Sequence, residues 1–187
     1  MKFEKMIFIN ISQFFERFST MFTGGSAYDT EAESFPAVPF GPSDFNDYRC
    51  DSTTGLISNY GDPLEVRNCR LVGLMDLDHS NPETASKVVA YMNDLIDIGV
   101  AGFRVDAMKH MWPLEMESLL ADLNDLPSAV FGENKRAWIG SEVIDQGGEP
   151  VKANEYYDLG TVTEFNYSAL RSFGAAGRTL VDFEVFE

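Results

Sequence analysis

From residue 71 onward the chain alternates between strand-like and helix-like segments, and this alternation restricts the fold more than any other feature of the sequence. The strand-like segments are RLVGLMDL, VAGFRVDA, RAWIGSEV and TVTEFNY, and the helix-like segments are NPETASKVVAYMNDLIDIG, WPLEMESLLADLND, GEPVKANEYY and SALRSFGAAGR. Strands joined through helices run parallel, because each helix carries the chain back across the sheet. The pattern predicts an α/β fold, which an α/β barrel and an open doubly wound sheet both satisfy.

A charged pair lies within one of these strands, at residues 100–106. Side chains alternate between the two faces of a strand, so apolar residues occupy one face and Arg104 and Asp106 share the other. Charges on the inward face of a buried strand are costly unless they are paired or serve a function. The two side chains could therefore simply neutralise each other, or they could belong to a functional site.

Two carboxyl residues close consecutive strands. Asp106 ends the strand at residues 100–106, and Glu142 ends the strand at residues 137–142. In a parallel barrel, neighbouring strands end side by side on the face where the loops build active sites. Two carboxyl groups facing one another there suit glycoside hydrolysis, and retaining enzymes hold them roughly 5–5.5 Å apart.

The surroundings of the two carboxyl groups favour different protonation states. Arg104 lies on the same face as Asp106 and is expected to keep that carboxylate ionised. Glu142 lies in the largely apolar stretch WIGSEVI, which is expected to raise its pKa and keep it protonated. An ionised nucleophile and a protonated acid are what retaining hydrolysis needs, although paired acids also occur for other reasons.

The composition argues against two classes of partner. The chain has 30 Asp and Glu residues against 14 Lys and Arg residues, a formal net charge of -16. Nucleic acids and anionic membranes attract basic surfaces, so neither is an expected partner. No apolar run is long enough to span a bilayer. The apolar run at residues 6–11 is short and has Glu4 and Glu16 beside it, so it does not satisfy the pattern of a signal peptide.

The two cysteines, Cys50 and Cys69, lie in a stretch from Thr23 to about Asn68 that is rich in Gly, Pro, Ser and Asp. This composition predicts irregular loop structure. An isolated pair of cysteines in such a stretch suggests a disulfide and an oxidising compartment. Two unrelated buried thiols are the alternative.

Two motifs carry a family resemblance. GFRVDAMKHMWP and GSEVIDQGGEP resemble two signature regions of the α-amylases. The stretches FPAVPF, DFND, NYGDPLEVRNCRLVGLMDL and YMNDLIDIGVAGFR are similar to the animal-type, chloride-dependent branch, and the resemblance runs from about Gly24 to at least Tyr167. It implies a retaining hydrolase of internal α-1,4 bonds in starch or glycogen, secreted and disulfide-bonded between the two cysteines. A related enzyme with another α-glucoside specificity is a further alternative.

The fold implied by the resemblance is a partial (β/α)₈ TIM barrel with an irregular, loop-rich excursion domain, domain B. The expected divisions are an unrelated lead at residues 1–23, domain B at residues 24–75, and barrel strands four to six within residues 76–187. The family would supply further barrel strands, a transition-state aspartate and a β-sandwich beyond Glu187. The chain is therefore expected to be an internal piece of an amylase. A non-catalytic remnant is the alternative, and the complete enzyme is expected to be monomeric.

The resemblance also implies a role for each matched residue of the reaction centre. Asp106 matches the catalytic nucleophile and Glu142 the general acid/base. Arg104 matches a chloride ligand. Lys109 and His110 match residues that reach the sugars beyond the cleavage point.

Further residues match the rim of the site and a calcium site. Tyr60 matches an aromatic that packs against glucose, and Glu149 matches a rim residue, although ordinary packing and a solvated charge are the alternatives. Asp76 and the backbone carbonyls of Arg67 and His110 match calcium ligands. Oxygen ligands drawn from separate loops suit Ca²⁺, whereas Asp76 could instead cap a loop.

Three features depart from the family pattern. The residues before Gly24 do not resemble the first barrel strands, so an early calcium-binding asparagine has no counterpart. Asn166 stands where a lysine is usual, and Ser43 where a tryptophan is usual. His79 matches no functional position and is expected to be a loop residue.

Overall fold

The computed structural model describes residues 31–35, 38 and 40–166, together with the backbone of residues 7–9 and 183–184. The predicted helix SALRSFGAAGR lies outside these residues. No helix among the described residues has the length and apolar character needed to cross a bilayer.

The strands form one sheet whose order follows the sequence. They are β1 (Ile7–Ile9), β2 (Gly102–Val105), β3 (Trp138–Ser141), β4 (Thr161–Thr163) and β5 (Phe183–Glu184). Strands β1 to β4 run parallel, and β5 pairs antiparallel with β4. The three central strands are those that the alternation predicts, in the predicted direction. Strand β1, which pairs with β2, was not anticipated, because its segment is isolated from any strand–helix repeat.

Among the described residues, four α-helices accompany the sheet. They are α1 (Pro63–Asn68), α2 (Pro82–Asp97), α3 (Pro113–Ala121) and α4 (Ser128–Phe131). The first three begin with a proline, whose fixed φ suits the first helical position and whose missing N–H is not needed there. Asp62 and Asn81 cap α1 and α2 by accepting a hydrogen bond from the backbone N–H of the second residue of each helix.

The extended strand predicted for RLVGLMDL is wrong. Residues Leu71–Gly73 form a single 3₁₀ turn, in which Val72 has a φ of 47° and Gly73 a φ of 85°. Two successive left-handed residues reverse the chain direction and end any extended run. The two ends of this segment form isolated bridges: Arg70 pairs parallel with Leu56, and Leu77 pairs antiparallel with Phe45.

Two buried clusters hold the described residues together. The larger lies between the sheet and helices α2 and α3, and its fully buried members include Ile96, Phe103, Met108, Met116 and Tyr156. The smaller consists of three aromatic rings and one leucine: Phe35, Phe40, Phe45 and Leu77. In it, the Phe45 ring meets the Phe35 ring edge to face, with 5.5 Å between the centroids. The loop-rich stretch therefore has a small apolar centre of its own.

The disulfide between Cys50 and Cys69 is present, which confirms the expected pairing. It joins residues 19 positions apart, and Cys69 is buried. Replacing both cysteines with serine is expected to lower the free energy of unfolding by about 3 kcal/mol, because the open chain gains entropy when unfolded. Denaturant titration with and without reductant measures this. If the variant and the oxidised wild type have the same midpoint, the stabilisation is absent.

Candidate active site

The carboxyl ends of β2 and β3 place Asp106 and Glu142 side by side. The paired register of the two strands ends with Val105 opposite Ser141. The Glu142 N–H then donates to the Val105 carbonyl at 2.9 Å, which extends the ladder by one hydrogen bond. Each carboxyl residue is therefore the first residue beyond the paired part of its strand. This is the placement that the strand ends in the sequence predict.

A left-handed residue turns the chain immediately after Asp106. Ala107 has a φ of 53°, and the chain continues into a 3₁₀ turn at Met108–His110. A left-handed alanine is strained, and such strain persists only where surrounding contacts impose it. The Ala107 N–H donates to Glu142 Oε2 at 3.1 Å, so the strained turn supports the second carboxyl group.

The guanidinium of Arg104 contacts both carboxyl groups. Its Nη1 forms a short ion pair with Asp106, and its Nη2 lies 2.7 Å from Glu142 Oε1. All three side chains are largely buried. One cation therefore holds two acids together, and both interpretations of the charged pair apply: the charges are neutralised, and they lie at a candidate site.

Burial raises the pKa of Glu142 above its ordinary value, and the hydrogen bond and negative charge of Asp106 raise it further. The Ala107 N–H and the Arg104 charge oppose this rise by favouring the ionised form. The net direction is the one that the apolar surroundings of Glu142 predict. A carboxyl group that holds its proton more tightly is suited to protonate a departing oxygen.

The shared guanidinium brings the two carboxyl groups towards each other, since Arg104 contacts each of them. The separation of roughly 5–5.5 Å expected for a retaining pair stays a prediction.

Comparison with known proteins identifies the family of this chain. The chain is 49% identical to human α-amylase 1B over 150 residues, which is 80% of this chain and 29% of that protein. It is 50% identical to an α-amylase of Oryzias latipes over 145 residues, 78% of this chain and 28% of that protein. The chain belongs to the α-amylase family. It spans about three tenths of the length of these relatives.

Solved structures agree with the sequence comparison. Wild-type α-amylase I from Eisenia fetida superimposes with a TM-score of 0.74 and 44% identity, over 81% of this chain and 32% of that chain. A maltohexaose complex of a variant of the same α-amylase gives a TM-score of 0.73 and 48% identity, over 75% and 28% of the two chains. No protein-family model matches the chain.

Lys109 and His110, matched to sugar-contacting positions of α-amylases, are tied to neighbouring backbone in this structure. The Lys109 ammonium is buried and donates to the Ile144 carbonyl at 2.8 Å. Burial lowers its pKa, while the charges of Glu149 and Asp145 oppose that change. His110 Nδ1 lies 2.8 Å from the Val66 carbonyl, which can only accept, so Nδ1 carries the proton. The lysine thus links the loops after β2 and β3, and the histidine links the first of these loops to α1.

The two rim residues have different settings. Glu149 accepts a hydrogen bond from the Gln146 N–H at 2.8 Å, and its charge reaches Lys109. Tyr60 lies in the loop before α1 with 52% of its surface exposed. The structure therefore brings Glu149 into the neighbourhood of the candidate site and leaves Tyr60 on the surface of the loop-rich stretch.

The residues matched to calcium ligands of α-amylases also lie close together. Asp76 is half-buried, and loss of solvation around its carboxyl group raises its pKa to about 7. The Asn46 amide donates to Asp76 Oδ2 at 3.1 Å and to the Arg67 carbonyl at 3.4 Å. The His110 side chain is anchored to Val66, one residue before Arg67. Among the described residues no three His, Cys, Asp or Glu side chains cluster as a metal site, so one carboxylate and backbone or amide oxygens make up this set.

Sequence reasoning missed the side chain of Arg67. It is buried, its Nη2 lies 2.7 Å from Glu155 Oε2, and its guanidinium lies 4.9 Å from the centre of the Trp112 ring. Its Nε donates at 3.4 Å to the hydroxyl of the fully buried Tyr156. The resemblance concerned only the carbonyl of Arg67, so nothing in the sequence pointed to this cluster.

His79 is a buried histidine that the candidate chemistry does not use. Its Nε2 has no hydrogen-bond partner, and burial lowers its pKa to about 4, with the Asp78 charge opposing and the Arg49 charge assisting. Below the unfolded-state pKa of about 6.5, His79 therefore binds a proton in the unfolded chain but stays neutral in the native chain. Between pH 6.5 and 4 the histidine is expected to remove about 3 kcal/mol of stability.

The variant His79→Gln isolates this effect. Denaturant titrations of the wild type and the variant at pH 7.5, 6.0 and 4.5 give two stability curves, and the acid loss should be smaller in the variant. Other titrating groups, including Asp76, contribute to both curves and cancel in the difference. Parallel curves would show that His79 is not held neutral.

Proposed function

We propose that this chain supplies the nucleophile and the general acid/base of an α-amylase that cleaves internal α-1,4 bonds of starch or glycogen with retention. The observation that carries the proposal is the convergence of Asp106 and Glu142 at the ends of β2 and β3, around the guanidinium of Arg104. The relatives named α-amylase, and the maltohexaose bound in one similar structure, support an α-glucan substrate.

Each carboxyl group has one task in each half of the reaction. Asp106 attacks the anomeric carbon as Glu142 gives its proton to the departing oxygen, which yields a glycosyl ester on Asp106 and a free sugar end. Glu142, now ionised, takes a proton from water, and the resulting hydroxide attacks the anomeric carbon and releases Asp106. The raised pKa of Glu142 supports its role as the acid that protonates the departing oxygen.

Two inorganic ions belong to the proposal. Asp76 and the carbonyls of Arg67 and His110 would hold Ca²⁺, and their all-oxygen chemistry fits that ion. Bound there, it would supply positive charge and join the loop-rich stretch to the turn after β2. Chloride would bind the guanidinium of Arg104. Because that guanidinium contacts Asp106 and Glu142, chloride would compete with the two carboxyl groups for it. The disulfide supports an extracellular location.

One observation favours a second candidate, a protein that binds α-glucans without cleaving them. Asp106 is held in a short ion pair with Arg104, which also contacts Glu142. If this ion pair persists unchanged when glucan is present, Asp106 is not free to attack the anomeric carbon.

Incubation of the full chain with maltohexaose in calcium and chloride separates the two candidates. The proposal expects shorter α-maltooligosaccharides, with the newly formed reducing ends initially in the α configuration by proton NMR. Initial β products would contradict retention. Maltohexaose that binds in calorimetry yet stays intact would favour the second candidate.

A further inference from the structure

The side-chain amide of Asn46 lies between two oxygens of the proposed calcium site. Asn46 is only 3% exposed, and its Nδ2 donates to Asp76 Oδ2 at 3.1 Å and to the Arg67 carbonyl at 3.4 Å. Its own carbonyl oxygen, Oδ1, is buried without a hydrogen-bond partner. Buried polar atoms are nearly always paired, so this oxygen requires an explanation.

The backbone holds Asn46 and Asp76 in register. The Asn46 N–H donates to the Asp76 carbonyl at 2.8 Å, and the Asp78 N–H donates to the Asp44 carbonyl at 2.8 Å. These two hydrogen bonds surround the single antiparallel bridge between Phe45 and Leu77. The amide is therefore fixed beside Asp76 by the main chain and not by its own side-chain bonds alone.

The contacts of Nδ2 resemble those of a small cation. A donor group that bridges a carboxylate oxygen and a backbone carbonyl occupies the place between two oxygens that a cation would take. Rotation of the amide plane by half a turn exchanges Nδ2 for Oδ1. The unpartnered oxygen would then face the same two oxygens, and such a set of oxygens requires a cation between them.

We propose that Asn46 is a calcium ligand of this chain through Oδ1. The inference rests on the calcium site of the proposed function. Amide carbonyl oxygens are ordinary ligands of Ca²⁺, and the ion takes six to eight oxygens in all.

The competing explanation is that the Asn46 amide has only a structural role. Two variants of Asn46 distinguish this role from calcium ligation. Asn46→Ala removes both the donor and the oxygen. Asn46→Asp removes the donor but keeps oxygen ligands and adds a negative charge beside Asp76. Ligation predicts that the alanine variant loses calcium affinity while the aspartate variant keeps or gains it. A structural role predicts that both variants melt at lower temperature without metal and bind calcium as the wild type does.

Calorimetric titration of the full chain with CaCl₂, after removal of metal with chelator, measures the dissociation constant. We expect Asn46→Ala to weaken it at least tenfold, and Asn46→Asp to match or tighten it. The exposed Asn154→Ala serves as the control and should bind as the wild type does.

Three results would overturn the inference: no calcium binding by the wild type, wild-type affinity in Asn46→Ala, or at least tenfold weaker binding in Asn46→Asp. The last result decides the matter even if Asn46→Ala fails to fold. Calcium binding is measured without substrate, so loss of the proposed starch hydrolysis leaves these outcomes unchanged, and the two proposals can fail separately.

Discussion

Replacing Asp106 with asparagine is expected to lower kcat/KM for starch by on the order of 10⁴-fold, about 5 kcal/mol of transition-state stabilisation. The amide cannot form the glycosyl ester, so the double-displacement route is lost. The geometry motivates the choice, since Asp106 is the first residue beyond paired β2 and contacts Arg104 directly. Initial rates of starch cleavage measure the effect, once the concentration and the folding of each variant have been checked.

The partner carboxyl group provides a contrast. Glu142→Gln should impair starch cleavage strongly but should recover much of its rate on a maltosyl fluoride, whose leaving group needs no proton. Asp106→Asn should not recover on that substrate. The exposed Asp158, just before the amino end of β4, is the matched control, and Asp158→Asn should retain wild-type rates. If a fluorinated glycoside labelled a carboxylate other than Asp106, the assignment would be wrong.

The positions of the two carboxyl groups could be predicted from the sequence because they depend on local rules. Alternation along β2 decides which side chains share a face, and parallel pairing makes neighbouring strands end together. The start of α2 was predictable for the same kind of reason, since Asn81 caps it and Pro82 occupies its first position. These features need only neighbouring residues and one pairing rule.

The remaining contacts of the site depend on pairs that are far apart in the chain. Asn46 meets Asp76 across 30 positions, through a bridge between Phe45 and Leu77 that has no periodic signal. The turn at Val72 depends on a left-handed valine, which residue preferences disfavour. Tertiary contacts override the local preference in both places, and a single sequence carries no trace of them.

The buried guanidinium of Arg67 is the second point where a large effect is expected. Arg67→Ala should lower the free energy of unfolding by about 4 kcal/mol, because it leaves a cavity and removes a buried cation from the groups that it contacts. The side chain connects α1 to the ring of Trp112 and to Tyr156, whose hydroxyl donates to the Met111 carbonyl at 2.8 Å. The loss should therefore also loosen the turn that follows β2.

The ion pair itself should account for the smaller part of that effect. The Glu155 side chain is 36% exposed, so water can replace the guanidinium around it once the arginine is gone. Glu155→Gln is thus expected to cost about 1 kcal/mol or less, and Arg67→Lys, which keeps the charge but loses the planar stack on Trp112, about 2 kcal/mol. Denaturant titration of the three variants and of the Arg67→Ala/Glu155→Gln double variant gives the coupling energy. A coupling close to the full 4 kcal/mol would show that the ion pair dominates, contrary to this account, because stacking and burial of the planar group would then contribute little.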